Sequence, residues 1–431
     1  MPDTDPSGLA LPGPMPPFAA LGTPNFRRFV TGQGISLVGS WTETVAQALL
    51  VLQLTNSAVA VGLATAARYL PVLLLTPYAG LIVDRHDKRR ILILTACSLA
   101  LLSVLQGALV LSHHMQMWVV FVVALVFGTL SALDNPARQA FIPEMVGKGL
   151  IRNAVTINST MVNVGRALGP LVAAGLVSTV GIGWCFLINA ISFAAVLFAL
   201  ATMDTRALFP VKRVAVARGQ VLQGLRYAAT VPEIIGPIAM MALIGTFTYE
   251  FEVSLPIFAK MELNPAPVTY SWLLGAFGAG SVLGGFYCMV RPATGLPRLV
   301  RAAALYAAAM LALSFAPSLP VAVPVLIVVG LASITFITTG NSTIQLAAAP
   351  EYRGRVTGLW STAFVGSTPI GATIIGFVAA LSPRWAIVVG ALACIVAAWV
   401  GWHFLGLRPA PNGDAEDSGA PRSKRYGKRC A

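Results

Sequence analysis

The chain has 431 residues, 56% of them hydrophobic and 10% charged, with a formal net charge of +13. A soluble domain carries roughly 25% charged residues, so the composition excludes a protein that keeps most of its surface in water. The basic excess is spread over one alternate set of loops and does not form a patch, so it excludes nucleic acid as the partner and reads as a topology signal.

Residues 1–25 are Pro-rich and carry Asp3 and Asp5. They lack the basic n-region and short apolar core of a cleavable signal peptide, so they read as a disordered segment ahead of a first span that itself targets the chain. A crossing of the hydrocarbon core takes about 20 mainly apolar residues. Twelve such stretches follow, at 29–54, 58–83, 91–111, 117–137, 154–178, 183–203, 234–258, 268–290, 302–316, 321–346, 356–381 and 385–406. The ninth is short and Ala-rich. With the N-terminus inside, all of the 29 Lys and Arg except Lys260, Arg384, Arg68 and Arg166 fall on inner segments. That asymmetry places both termini in the cytoplasm.

The first span carries Gln33, Ser40, Trp41, Thr42, Glu43, Thr44 and Gln47. Glu43 lies roughly fifteen residues in, near mid-depth at about 1.5 Å per residue. A charge there costs at least about 2.5–3.5 kcal/mol, so it must pair, face water or take a proton. Desolvation favours the neutral carboxyl, which makes Glu43 a candidate proton carrier; a structural carboxylate paired with an arginine is the alternative. Arg68, at similar depth on the second span, stays charged and needs an anionic or carbonyl partner. It suits either a resting ion pair with Glu43 or an anchor for an anionic substrate.

Between the second and third spans, Gly80-Leu81-Ile82-Val83-Asp84-Arg85-His86-Asp87-Lys88-Arg89-Arg90 combines a glycine, an acid and a basic cluster in a short charged hairpin. His113 and His114 read as a solvated pair in an outer loop. The fifth span carries Asn163 one turn before Arg166, and Gly165, Gly169 and Pro170. This glycine spacing allows close helix approach.

The segment 204–230, with Arg206, Lys212, Arg213, Arg218 and Arg226, is the longest polar interruption and divides a six-span bundle at 26–203 from another at 231–406. Internal repetition supports the cut. Asp134-Asn135-Pro136 through Pro143-Glu144 lines up with Asn341-Ser342-Thr343 through Pro350-Glu351 at an offset of 207, and Leu37 to Thr42 resembles Leu243 to Thr248 at nearly the same offset. The seventh span carries Thr246, Phe247, Thr248, Tyr249, Glu250 and Glu252. The two acids point about 200° apart on a continuous helix, and Glu250 is the one that nearly matches Glu43 in the repeat, leaving Glu252 for the outer mouth. The tenth span is also polar, whereas the third, sixth, ninth and twelfth are nearly featureless. Polar groups in hydrocarbon need a cavity or a partner, so spans one, four, seven and ten are expected around a central cavity, with the bland ones toward lipid. Trp41, Phe247 and Tyr249 are candidates for aromatic walls.

The tail at 407–431, with Arg422-Ser423-Lys424-Arg425 and Lys428-Arg429, reads as disordered and drawn to anionic inner-leaflet lipid. Cys97, Cys185, Cys288 and Cys394 lie in spans and Cys430 in the tail, with no disulfide or metal spacing. No phosphate-binding loop, metal cluster or nucleophile with a paired base is visible, so neither a cofactor nor an enzyme is expected.

The loop from Gly80 to Arg90 resembles the signature loop of the major facilitator superfamily. The Gly-Pro of the fifth span, Asp134-Asn135-Pro136-Ala137-Arg138-Gln139-Ala140-Phe141 and Arg353-Gly354-Arg355-Val356 resemble the branch of enterobactin exporters and macrolide efflux proteins, the transmembrane secretion effectors, over residues 25–405. The resemblance implies an all-α membrane fold of two six-helix bundles, a monomer in the bacterial inner membrane, and alternating access. It implies a cytoplasmic gate made by Gly80, Asp84, Arg85, Arg89 and Arg90, and an antiporter-like role for Gly165, Gly169 and Pro170. Two departures stand out. Asp87 replaces the second glycine of the loop motif, and the fourth span, Trp118 to Pro136, lacks the arginine that many drug:proton antiporters carry. The second-half loop, Arg291-Pro292-Ala293-Thr294-Gly295, has no acid, which predicts a one-sided latch. The leading expectation is therefore proton-coupled export of a small amphipathic molecule, a siderophore or a drug, with Glu43, Arg68, Arg166, Glu250, Gln47, Asn163 and Trp41 around the substrate and proton path. Proton-coupled import of a nutrient or lipid, and a transporter-like sensor or scaffold, are the alternatives.

Overall fold

A computed structural model of the protein describes residues 18–209, 220–263, 266–291, 294–349 and 352–406. The expectations placed on the N-terminal segment through residue 17, on Lys212, Arg213 and Arg218, on the Pro292–Ala293 and Pro350–Glu351 pairs, and on the tail from residue 407 lie outside the described residues.

Twelve helices are long and apolar enough to cross a membrane, and among the described residues there is no strand. The first six spans are α1 (Pro24–Thr55), α2 (Ala58–Arg85), α3 (Lys88–Leu111), α4 (Met117–Val146), α5 (Ile151–Thr179) and α6 (Ile182–Ala201). Their ends follow local chemistry. Pro24 sits in the first turn of α1, where its missing N–H costs nothing. Asn56 closes the helix in the left-handed region, and the Ser57 side chain accepts from the Ala60 N–H to start α2. Asp87, the residue that departs from the loop motif, has its own use: its side chain accepts from the Arg90 N–H, 3.1 Å away, and so caps α3.

After the short α7 (Gln220–Thr230), the second set is interrupted twice. The seventh span consists of α8 (Pro232–Phe247), α9 (Phe251–Phe258) and a π turn at Ala259–Leu263. Its break falls where side chains bind neighbouring helices: the Thr248 hydroxyl donates to the Gly390 carbonyl at 2.9 Å, and the Tyr249 hydroxyl meets Ser333 Oγ at 2.8 Å. Pro256 then removes an N–H from the ladder, and the π turn follows. Spans eight to ten are α10 (Pro267–Val290), α11 (Leu296–Ser314) and α12 (Leu319–Ala347). The ninth thus begins at Leu296, ahead of the expected residue 302, because Arg298 and Arg301 are carried inside its first turns. The eleventh span divides into α13 (Arg353–Val365) and α14 (Thr368–Leu381), and α15 (Pro383–Gly406) is the twelfth.

The two interrupted spans pack break against break. A Cβ on Gly371 would run into the Thr246 carbonyl and Glu250 Oε1, and one on Gly245 into the Ala363 carbonyl. Within the first half α1 lies on α5 and α6, and α2 on α4; within the second α10 lies on α12, and α11 on α15. The halves meet through α2 with α14 and α5 with α10. Gly62 abuts Ala372 and Gly376, Gly278 abuts Ala167, and Lys260 Nζ donates to Asn56 Oδ1. The Gly62 and Lys260 contacts gather on the face opposite the Asp84 loop.

One expectation is corrected. Spans three and six are not simply lipid-facing: Ser103 and Gln106 on α3, and Asn189 and Ser192 on α6, are buried polar residues turned into the bundle. Their scarcity hid them in the sequence, since two polar side chains barely change the apolarity of a span.

Candidate functional site

Glu43 is 2% exposed, at the middle of α1. Its Oε2 accepts from Ser103 Oγ at 2.6 Å and from Asn189 Nδ2 at 2.5 Å. Asn189 is itself positioned by Ser192, whose hydroxyl lies 3.0 Å from Asn189 Oδ1. One turn along α1, Gln47 Oε1 accepts from Gln106 Nε2 at 2.8 Å. The acid is therefore solvated by neutral donors from α3 and α6. The ion pair with Arg68, one of the two readings the sequence left open, is absent among the described residues.

Arg68 instead stacks its guanidinium on the Phe127 ring, 3.9 Å from the centroid. A space of about 20 Å³ separates it from Glu43, Gln47, Gln106 and Glu252, room for a single water. Glu252 comes from the second half, and its Oε1 faces the Tyr69 hydroxyl on α2 at 3.3 Å. Arg68 shares its small space with this carboxylate. Glu252 thus occupies the central position that sequence reasoning gave to Glu250. Glu250 is 3% exposed, stands at the N-cap position of α9 without a side-chain capping bond and faces Gly371, with Oε1 lacking a hydrogen-bond partner. The two acids do face different surroundings, as the 200° argument requires, but the break at Tyr249 decides which one meets the first half.

Arg166 lies 5.0 Å over the Trp41 ring, and its buried Nε has no partner. Asn163 donates to its own helix at the Ser159 carbonyl, 3.0 Å away, and joins no network with Arg166. Gly165 and Gly169 are contact points for α1: a Cβ at 165 would strike Leu37, and one at 169 would strike Trp41 and Val38. The Thr42 hydroxyl uses this proximity to reach the Gly169 carbonyl at 3.0 Å. Pro170 is buried next to this contact.

From Arg68 a cavity of about 210 Å³ runs toward the Asp84 face, between Gln33, Ser36 and Ser40 of α1, Tyr69 of α2, and Asp134, Asn135 and Arg138 of α4. Phe193 and Val196 of α6 and Val365 of α13 complete it. In its wall Asp134 is paired with Arg138 and accepts from the buried Thr95 hydroxyl at 2.8 Å. Sequence reasoning left this pair at the end of the fourth span; its i, i+4 spacing was the available signal.

The loop residues are tied mainly within the first half. Arg89 donates to the Leu200 carbonyl at 2.7 Å and to that of Ala201 at 3.3 Å, and Lys88 pairs with Glu144 at 2.7 Å. Arg90 is exposed beside Asp87 at 3.9 Å. Gly80 has open space where a Cβ would lie. Asp84 and Arg85 are exposed, with no polar partner among the described residues.

The family model described as "Transmembrane secretion effector" matches residues 15–424. The chain belongs to this family of the major facilitator superfamily. The chain is similar to the staphyloferrin A transporter of Staphylococcus aureus, with 32% identity over 174 residues, 40% of this chain and 44% of that protein. The match thus spans less than half of that relative. The multidrug efflux pump Tap of Mycolicibacterium fortuitum is 26% identical over 351 residues, 78% of this chain and 85% of the pump. Among solved structures, a bacterial homolog of the human lysosomal transporter Spinster superposes with a TM-score of 0.70 at 15% identity, covering 93% of this chain and all 100% of that one. That likeness concerns the fold. These relatives are membrane transporters, so this transmembrane secretion effector is a multi-pass membrane protein of a transporter family and not of an enzyme family.

For a secretion effector, the functional question is which buried charges sit on the seam between the two halves. Glu43, Arg68 and Glu252 line one small space, Tyr69 and the Asp134–Arg138 pair line a second, and Arg68 and Phe127 stand between the two. Glu250 and Asn163 stand apart from both. Ser103, Asn189, Tyr69 and Thr95 were missed by sequence reasoning because none breaks an apolar pattern on its own.

Proposed function

We propose that this protein is a secondary active exporter of a small amphipathic molecule, a siderophore or a drug, across a bacterial cytoplasmic membrane, driven by proton antiport. Both termini lie in the cytoplasm in this reading, and the cavity running toward the Asp84 loop is the inward-facing substrate path. The observation that carries it is Glu43: a mid-span carboxylate buried among neutral donors, one water-sized gap from Arg68 and from Glu252 of the opposite half. Such a group is kept for proton or ion traffic, since as plain packing it costs free energy.

Protonation of Glu43 removes a charge from the seam between Arg68 and Glu252 and changes what the two donors bind. It biases inward against outward states only to the extent that the proton binds them differently. Glu252 faces Tyr69 across the halves, so it reports the same change to the second bundle. The Asp134–Arg138 pair, Tyr69 and Phe193 give the cavity both charged and apolar walls, which suits an amphipathic cargo. Gly165 and Gly169 hold α1 against α5, the antiporter-like packing of the fifth span. The relatives named for staphyloferrin A and for multidrug efflux support the substrate range. Everted vesicles test the direction and the coupling. Acidifying the lumen should drive accumulation of a secreted metabolite that a deletion strain retains; accumulation without a proton gradient, or only with the gradient reversed, would reject antiport.

A further inference from the structure

The first turns of α1 break a local rule. A helix N-terminus carries partial positive charge and disfavours cations, yet Arg27 and Arg28 follow Pro24 there with no acid in the first turn. Arg28 is partly compensated, since its Nη1 donates to the Thr202 carbonyl at the end of α6, 2.6 Å away. Arg27 is exposed, and its guanidinium has no partner among the described residues. The acid of this corner is Asp204, whose backbone is tied to Asn25, and its Oδ1 is occupied by the Arg206 N–H at 2.9 Å.

Both arginines stand at the lip of a groove of about 550 Å³ on the outside of the bundle, between α1 and α6. Its floor is small: Gly32 lies so close to the Ala195 carbonyl that a Cβ would not fit, and Ala199 continues the line. Its walls are Ile35 and Phe198, 52% and 71% exposed. The hydroxyls of Thr31 and Thr202 are turned back onto the carbonyls of Arg27 and Phe198, at 2.9 and 2.8 Å. The open donors at the lip are therefore guanidinium N–H groups, and what leads away from them is apolar.

We propose that the α1–α6 groove binds one anionic phospholipid, its phosphate held between Arg27 and Arg28 and an acyl chain laid along Gly32, Ile35, Ala195 and Phe198. Guanidinium forks match phosphate oxygens, and arginines at this level attract anionic headgroups. A zwitterionic headgroup brings its own cation into competition. The seam so covered is the one that, deeper in the membrane, holds Glu43 against Asn189. A lipid seated here braces both helices of that contact.

Native mass spectrometry of the purified full chain with phosphatidylglycerol or phosphatidylcholine micelles tests the site. The unaltered protein should retain phosphatidylglycerol about fivefold better, and Arg27→Gln, which breaks no protein contact, should lose most of that preference. Ile35→Trp keeps both charges but fills the groove, and should lose retention too. Arg301→Gln, an exposed arginine on α11, should change nothing. Full retention by Arg27→Gln, undiminished retention by Ile35→Trp, or equal thermal stabilisation by inorganic phosphate would overturn the proposal.

Discussion

Across the seam, the first half presents Glu43 and Asp134, held by hydroxyl and amide donors, with Arg138 paired to Asp134 and Arg68 and Arg166 lying on aromatic rings. The second half presents aromatic rings. Tyr249 packs edge-on against Phe364 at 4.9 Å and Tyr306 at 5.9 Å, Phe251 lies 4.6 Å from Phe277, and Trp360 stacks on Phe336. The offset repeat suggests one plan for both halves, but the side chains at the centre differ. Under the proposed antiport, the first half holds Glu43, the acid to which the proton is assigned. The second half supplies a stiff wall and, through Glu252, one carboxylate that reaches over.

The contrast is broken most directly at Glu43. Glu43→Gln keeps a partner for Ser103 or Asn189 but cannot cycle a proton, so proton-driven export should fall at least about a hundredfold while expression is unchanged. Transport assays in everted vesicles measure this, and near-normal rates would move the chemistry elsewhere. Glu252→Gln comes next. It removes the second half's charge from Arg68 and Tyr69, and transport should drop roughly tenfold, with Tyr69→Phe producing a smaller loss because it deletes one long hydrogen bond. If Glu250→Gln proved the more damaging of the two acids, the assignment of Glu252 to the seam would fail.

That last pair also shows where sequence and structure part. The twelve spans and the buried mid-span position of Glu43 were legible, because a long apolar run and a lone mid-span acid each stand out in the sequence. Glu252 was not. Choosing Glu250 rested on the repeat match and on a continuous seventh span. Thr248 and Tyr249 interrupt that helix by bonding to Gly390 and Ser333, contacts in other helices that no local pattern announces. Ser103 and Asn189 were illegible for a related reason. Each is a single polar residue whose meaning comes from the carboxylate it meets on another span.

The loop between α2 and α3 sharpens the comparison further. In the present conformation Asp84 is exposed and free of polar partners among the described residues, whereas Arg89 and Lys88 brace the first half. We propose that this unpaired acid closes the one-sided latch expected from the sequence. Asp84→Asn should therefore slow switching severalfold, on the order of 1 kcal/mol, while Arg291→Gln in the acid-free second loop should alter it little. Single-turnover efflux from preloaded vesicles reads the step, and equal effects would argue for a symmetric latch.

The smallest effect is expected in the aromatic half. Tyr249→Phe removes the hydroxyl that meets Ser333 but keeps the ring contacts with Phe364 and Tyr306. The loss is the hydroxyl's two hydrogen bonds to Ser333, to the carbonyl at 3.1 Å and to Oγ at 2.8 Å, about 1–2 kcal/mol of stability, which a thermal unfolding scan in detergent detects as a drop of a few degrees. Export rate and its dependence on the proton gradient should stay within about twofold, because no charge on the seam has changed. Tyr249→Ala, by contrast, empties the wall and should lose both stability and transport. If Tyr249→Phe shifted the gradient dependence itself, the hydroxyl would belong to the proton path, and the second half could no longer be described as a passive wall.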